Sequence, residues 1–275
     1  MWSGGILRLR LSLKVDSREN ILPLNYQYPV SAWIYQRIAR ANPEFANWIH
    51  NTGYRFNSKN FKLFTFSNFH VPRRNVQGDR LHILSPQVYL NLSFYVEKAV
   101  ESFIIGLFQN QEFEIGDRIS KARFQVTRIE SLPEPSFISP MEFQCLSPIC
   151  VSRSTIRKGK KMPEYLAPTH TEYERIFFDN LVFKYIALRR ELESRDEFVH
   201  TEEGDFRFEL LSEPRSRLIT IKTGQPDQTR VRGYFYTFRI FAPPELMRIG
   251  YYAGFGEKNS LGFGYVEVKK NEGTK

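Results

Sequence analysis

Alternation between apolar and polar positions opens the chain. Leu7, Leu9, Leu11 and Leu13 are interleaved with Arg8, Arg10, Ser12 and Lys14, the period of a half-buried strand over residues 6–15. Residues 30–40 then read as an amphipathic helix. Asn42-Pro43 pairs a capping side chain with a proline at the first helical position, so a second helix starts there. It should stop near Gly53. Residues 61–69 are an aromatic strand and 81–88 another. Apolar positions 96, 100, 103, 104 and 107 predict a helix over 92–108, and a strand over 124–129 closes this half.

The second half repeats the rhythm. A strand over 143–152 precedes a helix over 171–193, whose buried stripe is Tyr173, Ile176, Phe177, Leu181, Tyr185 and Leu188. Strands follow at 206–211, 218–221 and 231–241. Pro243-Pro244-Glu245 opens a short helix, and the last strand covers 263–268. Each half therefore runs βαββαβ, and the expected fold is α+β with two ferredoxin-like units in tandem. The proline-rich segment Ser131-Leu-Pro-Glu-Pro-Ser136 marks the expected boundary, giving domains 1–133 and 134–275.

Charge adds a partner to this picture. Against 30 acidic residues stand 39 lysines and arginines, a net +9 that favours a polyanion. A solvated basic surface would give the same count, so the charge alone does not choose. Cys145 and Cys150 are the two cysteines, too few for a disulfide framework and with no histidine spaced to complete a zinc site. No metal or cofactor is expected. Charge at Arg8 comes too early for a signal peptide, and no apolar run approaches the ~18 residues of a membrane span. The expected location is the cytoplasm.

Near the C-terminus the chain reads Gly250-Tyr-Tyr-Ala-Gly254-Phe-Gly256-Glu-Lys258-Asn-Ser-Leu-Gly262-Phe-Gly264. Glycines permit positive φ and close approach to main-chain N–H groups, and consecutive N–H groups can form an anion-binding concavity. Lys258 at the tip adds a point charge suited to phosphate. A tight hairpin without a ligand would use the same glycines. The longer pattern resembles the glycine-rich signature of the CRISPR-associated RAMP superfamily, and most closely its precursor-crRNA endoribonucleases, the sixth CRISPR-associated protein family. That family is built of paired ferredoxin-like (RRM-like) domains, in agreement with the hydrophobic pattern.

The resemblance extends to candidate catalytic residues. In the family an Ile-Tyr pair lies in the first helix, a histidine follows, and a Lys-Leu-Phe-Thr-aromatic-Ser strand comes next. This chain has Ile34-Tyr35, then His50 in the last turn of the second expected helix, then Lys62-Leu-Phe-Thr-Phe-Ser67. The resemblance thus implies Tyr35, His50 and Lys62 as the catalytic set. Histidine suits proton transfer because its ordinary pKa lies near 6.5. A lysine would neutralise charge on the phosphoryl oxygens, and a tyrosine would orient the attacking or leaving oxygen. Without the resemblance these would pass as a helix aromatic, a helix-end histidine and a solvated lysine. The course of the basic connector 51–61 does not follow from the pattern.

His70, beside Arg73 and Arg74, is a second candidate for facing RNA. His82 reads as structural, and His170 and His200 as lying in polar connections. Arg157, Lys158, Lys160 and Lys161 form a basic hairpin suited to the phosphates and groove shape of an RNA stem. Arg217 and Lys222 border the strand at 218–221, where cations also protect sheet edges. With Gly254, Gly256, Lys258, Gly262 and Gly264 they make up the expected RNA-binding set. The resemblance implies cleavage of CRISPR repeat RNA, the precursor crRNA, by 2′-hydroxyl attack, giving a 2′,3′-cyclic phosphate and a 5′-hydroxyl. A non-catalytic RAMP subunit that holds crRNA in a surveillance complex is the alternative. Homodimerisation and contact with further CRISPR-associated subunits stay open.

Overall fold

The structure is a computed structural model that describes residues 6–157, 159–193 and 206–269. The chain begins with β1 (Leu7–Pro23), α1 (Gln27–Ala41) and α2 (Pro43–Asn51). Next come a small hairpin, β2 (Tyr54–Phe56) and β3 (Lys59–Phe61), then β4 (Phe64–Phe66). A second hairpin, β5 (Arg74–Gln77) and β6 (Arg80–Ile83), precedes β7 (Gln87–Phe94). α3 (Glu97–Gln109), β8 (Glu112–Gly116) and β9 (Lys121–Leu132) complete the half.

Its central strands lie in the order β4-β7-β1-β9, all antiparallel. Counting those strands in chain order gives 2-3-1-4, with α1 and α3 as the two crossovers. Leu9, Leu11 and Leu13 stand opposite Leu92, Leu90 and Val88. Since opposed residues share a face, the alternation read from the sequence becomes one buried leucine layer.

The second half starts with β10 (Met141–Cys145) and the hairpin β11 (Ser152–Arg157) and β12 (Lys160–Tyr165). α4 (Tyr173–Glu193), β13 (Arg207–Leu210) and the hairpin β14 (Arg215–Ile221) and β15 (Thr229–Phe235) follow. β16 (Thr237–Phe241), α5 (Pro244–Ala253), a 3₁₀ turn (Asn259–Leu261) and β17 (Val266–Val268) end it. Sheet order β13-β16-β10-β17 is again 2-3-1-4, so the tandem ferredoxin-like arrangement holds.

Several expected elements are redrawn. The strand expected at 81–88 is two strands broken at Ser85-Pro86, where proline lacks an N–H for the ladder. The helix expected over 92–108 begins at Glu97, because Leu92 and Phe94 belong to β7. Positions 100, 103 and 107 do form its buried face. The strand expected over 231–241 divides at Tyr236, whose carbonyl accepts from Cys145 N at 3.1 Å. Its first part pairs with β14 away from the central sheet. Both cysteines are buried free thiols. Among the described residues no helix is long and apolar enough to cross a membrane.

Among the described residues two large cores and one small one result, and the chain does not respect its midpoint in filling the large ones. One is built on β1, β7, α1 and α3. The other, on α4, α5, β10 and β16, also takes in Tyr54, Phe56, Phe61 and Leu63 from the first half. The basic connector is therefore an aromatic hairpin clipped onto the second unit. Arg8 joins the halves as well. Only 2% exposed, its guanidinium lies 3.7 Å from the Tyr251 ring and 3.9 Å from that of Tyr265. It also donates to the Val266 carbonyl at 2.5 Å. The polar face of β1 is thus covered by the second unit at this end.

α2 carries His50, and its start has the local logic read from sequence. Asn42 Oδ1 accepts from Phe45 N at 2.9 Å, with Pro43 just inside the helix. Asn42→Ala should lower unfolding free energy by about 1 kcal/mol, measurable by urea titration. A change near zero would mean the cap is idle.

Candidate RNA interface and active site

Tyr35, on α1, is half-buried, and its ring meets His50 edge-on at 5.1 Å between centroids. Burial pushes its hydroxyl pKa up to about 12, and the Ser260 side chain in the glycine-rich loop is near enough to oppose that shift. One tyrosine therefore spans from the helix-end histidine to the loop. His50 is exposed, with Nδ1 2.9 Å from Asn51 Oδ1. Asn51 is held in that orientation because its amide nitrogen donates to Asn47 Oδ1 at 2.7 Å. With Nδ1–H donated to Asn51, the lone pair of neutral imidazole lies on Nε2, as a general base requires.

Lys62 reaches the same neighbourhood by way of Gly53. That glycine, at φ +62°, follows the end of α2. A Cβ there would stand 2.4 Å from the Phe61 carbonyl oxygen and 3.3 Å from Lys62 Nζ. Glycine thus ends the helix and leaves room for the lysine beside it. Burial lowers the Lys62 ammonium to about 8. It lines a cavity of about 400 Å³ together with Lys59, Lys184, Lys258, Asn180 and Ser260. The structure thus gathers Tyr35, His50 and Lys62 around the C-terminal end of α2 and the glycine loop.

The glycines work differently from the concavity expected of them. Gly254, Gly256, Gly262 and Gly264 are all buried at positive φ. Gly264 N donates to the Pro148 carbonyl and Gly262 N to that of Asn259, so neither is offered to a phosphate. A Cβ on Gly262 would lie 2.5 Å from the Phe66 ring, and one on Gly264 2.0 Å from the Phe255 carbonyl oxygen. These residues let the loop pack flat on β4 and on itself. Its exposed member is Lys258, left-handed at φ +61°.

Behind the loop lies a residue that sequence reasoning missed. Lys184, in the middle of α4, is 1% exposed, and it donates to the carbonyls of Gly254 at 2.5 Å and Gly256 at 2.7 Å. Burial lowers its pKa to about 7, opposed by the nearby Glu257 carboxylate. In sequence it looks like any helix lysine between Phe183 and Tyr185. Asn51 and Ser260 likewise carry no signal of their own.

The other basic candidates lie around this centre. Lys160 and Lys161 are exposed near the turn of the β11–β12 hairpin, and Arg157 pairs with Lys160 across it. Lys158 lies outside the described residues. The β14–β15 hairpin attaches to the glycine loop through Ile219, Ile221, Val231 and Phe263. On it, Arg217 donates to the Leu24 carbonyl at 3.3 Å and so ties the two halves. Lys222 is paired with Asp227, which offsets part of its charge.

His70 forms a backbone bridge with Tyr89 and lines a separate cavity of about 470 Å³ with Arg10 and Arg74. His82 is half-buried on β6. His170 has a definite local role, since its Nδ1 accepts from Glu172 N at 3.1 Å where α4 begins. His200 lies outside the described residues. Among them, no cluster of histidine, cysteine, aspartate and glutamate is arranged to hold a metal ion.

Both halves of the chain match family profiles. A profile described as "CRISPR-associated protein Cas6, N-terminal" matches residues 21–130. A second, "CRISPR associated protein Cas6, C-terminal", matches 132–268. The CRISPR-associated endoribonuclease Cas6 of Pyrococcus furiosus is 31% identical over 97% of this chain and 91% of its own length. CRISPR-associated endoribonuclease Cas6 1 of Methanocaldococcus jannaschii is 27% identical over 94% of this chain and 92% of its own. Among solved structures, "An RAMP protein binding different RNA substrates" superposes with a TM-score of 0.78 at 25% identity, covering 96% of this chain and all of the other. With both halves matched and near-complete coverage of its relatives, the chain belongs to the Cas6 family of CRISPR-associated proteins.

Proposed function

We propose that the protein is an endoribonuclease that binds CRISPR repeat RNA and cuts it into guide crRNAs, using Tyr35, His50 and Lys62. The observation that carries this reading is the placement of Tyr35, with its ring against His50 and its hydroxyl facing Ser260 of the glycine loop. It sets an exposed imidazole beside a lysine-lined cavity. Neutral His50 takes the proton from a 2′-hydroxyl through Nε2, and the 2′-oxygen attacks the adjacent phosphorus. The bond to the 5′-oxygen breaks and that oxygen collects a proton, giving a 2′,3′-cyclic phosphate and a 5′-hydroxyl. Lys62 offsets the charge building on the phosphoryl oxygens, and Tyr35 orients the reacting oxygens.

Lys258, Lys160 and Lys161, with Arg157 and Lys158, would hold the phosphate backbone, and Arg217 and Lys222 extend this surface. The glycines serve by shaping the loop. Two unpaired thiols favour a reducing compartment, the cytoplasm. In the test, the protein is incubated in EDTA with repeat RNA from its own genome. One cut per repeat, leaving a 5′-hydroxyl end, is expected. Intact RNA under saturating binding would leave a crRNA-holding subunit instead.

Lys62 predicts the alkaline limb. Its ammonium, lowered to about 8, loses its charge as pH rises through that value, so the cleavage rate should fall by about tenfold per pH unit above it. Lys62→Arg keeps its charge throughout. Its rate, lower at pH 7 because the fork fits less well, should stay flat to pH 9.5. Equal alkaline losses in both proteins would remove Lys62 from the reaction.

A further inference from the structure

A groove of about 1110 Å³ lies between α2, α3 and the end of α4, and its character is opposite to that of the lysine-lined cavity. Phe45, Trp48 and Leu188 contribute apolar surface to its lining. Around them stand Glu44, Glu97, Glu101 and Glu191, all exposed. Among the described residues none of these four carboxylates makes an ion pair, which is also true of Glu112, Glu213, Glu245 and Glu267 elsewhere; what sets the groove apart is that four such carboxylates gather around one lining. Lys98, the cation on this lining, has its ammonium 5.1 Å from the Phe45 ring.

The groove continues along α3. Glu97, Glu101, Ile105 and Phe108 are spaced four, four and three residues apart, which places them on one stripe of the helix. Ile105 is 46% and Phe108 64% exposed. Uncovered large apolar side chains next to an apolar groove mark an interaction surface. The volume exceeds the usual small-molecule range of about 300–1,000 Å³, and the strip runs on past it, as suits a segment of polypeptide.

We infer that this groove is the docking site for a partner protein, and that the seated segment is an amphipathic helix carrying lysine or arginine beside its apolar anchors. Helix-in-groove recognition uses anchors at such spacings, and the unpaired carboxylates select a cationic flank. RNA is disfavoured, since four carboxylates would face its phosphates in a chain whose overall charge is +9. Guide RNA held at the lysine cavity would leave this groove free, so one chain could carry both.

Two fluorescein-labelled 18-residue helices serve as probes, one of leucine and lysine, the other of leucine and glutamate. Anisotropy titration into the full chain should show saturable, salt-weakened binding of the lysine helix alone. Glu97→Lys with Glu101→Lys, and separately Ile105→Ser with Phe108→Ser, should each weaken it on the order of tenfold. Unchanged affinity for repeat RNA in both variants checks that they are folded, independently of any cleavage. Absent binding of the lysine helix, or binding indifferent to these substitutions, overturns the proposal. So does a sedimenting dimer of the wild type abolished by the serine pair, which would make a second copy the occupant.

Discussion

His50→Ala should slow single-turnover cleavage of repeat RNA by about 10²–10⁴-fold, the usual worth of a positioned general base. RNA affinity should stay nearly unchanged. The residue is exposed at the end of α2, and its side chain hydrogen-bonds neighbouring Asn51, so truncation leaves the core intact. Asn51→Ala should act more mildly and in the same direction. It removes the acceptor that keeps the proton on Nδ1, without removing the base. Rapid-quench cleavage alongside filter binding separates the possibilities. If His50→Ala cuts at the wild-type rate, the base lies elsewhere, and if binding collapses with cleavage, the residue is structural.

Lys184→Ala should give the largest loss of stability. Removing its ammonium leaves the carbonyls of Gly254 and Gly256 without their donor, at about 1–3 kcal/mol each, and opens a void in the second core. A total of about 3–5 kcal/mol is expected by urea titration, with weaker RNA binding because the glycine loop loses its support. Lys184→Met keeps the volume and isolates the two hydrogen bonds. The pH dependence has a definite sign. Folded, Lys184 titrates at about 7 against an ordinary 10.5, so between those values the unfolded chain binds more protons. Stability then rises with pH across that window. The methionine variant should lose that slope, and an identical slope in both proteins would place Lys184 nearer solvent than the structure does.

How much of this was legible in the sequence depends on where the deciding contacts lie. Leu7 to Leu13 and the stripe of α4 declare their elements because burial follows a local period. Asn42-Pro43 declares a cap for the same reason, since cap and partner are three residues apart. Ser85-Pro86 ended a strand that the apolar run alone carried through. The β2–β3 hairpin could not be placed, because its Tyr54 and Phe56 pack on α4, more than a hundred residues away.

The candidate site divides in the same way. Tyr35, His50 and Lys62 stand out in the sequence only by family resemblance, because they come to the end of α2 from separate parts of the chain. Gly254 to Gly264 were noticed for their permissive backbone, but what requires it is steric. Phe66, Phe255 and the Cys150 carbonyl come too close for a side chain. Lys184 had no local signature, because its partners are carbonyls seventy residues on.

The most direct test of the account is cleavage of repeat RNA carrying a single 2′-deoxy nucleotide, moved through the sequence one position at a time, in EDTA. Attack by the 2′-oxygen predicts that one substitution, immediately 5′ of the cut, abolishes cleavage while binding persists and the other positions cut normally. Cleavage that survives at every position would contradict the mechanism assigned to Tyr35, His50 and Lys62.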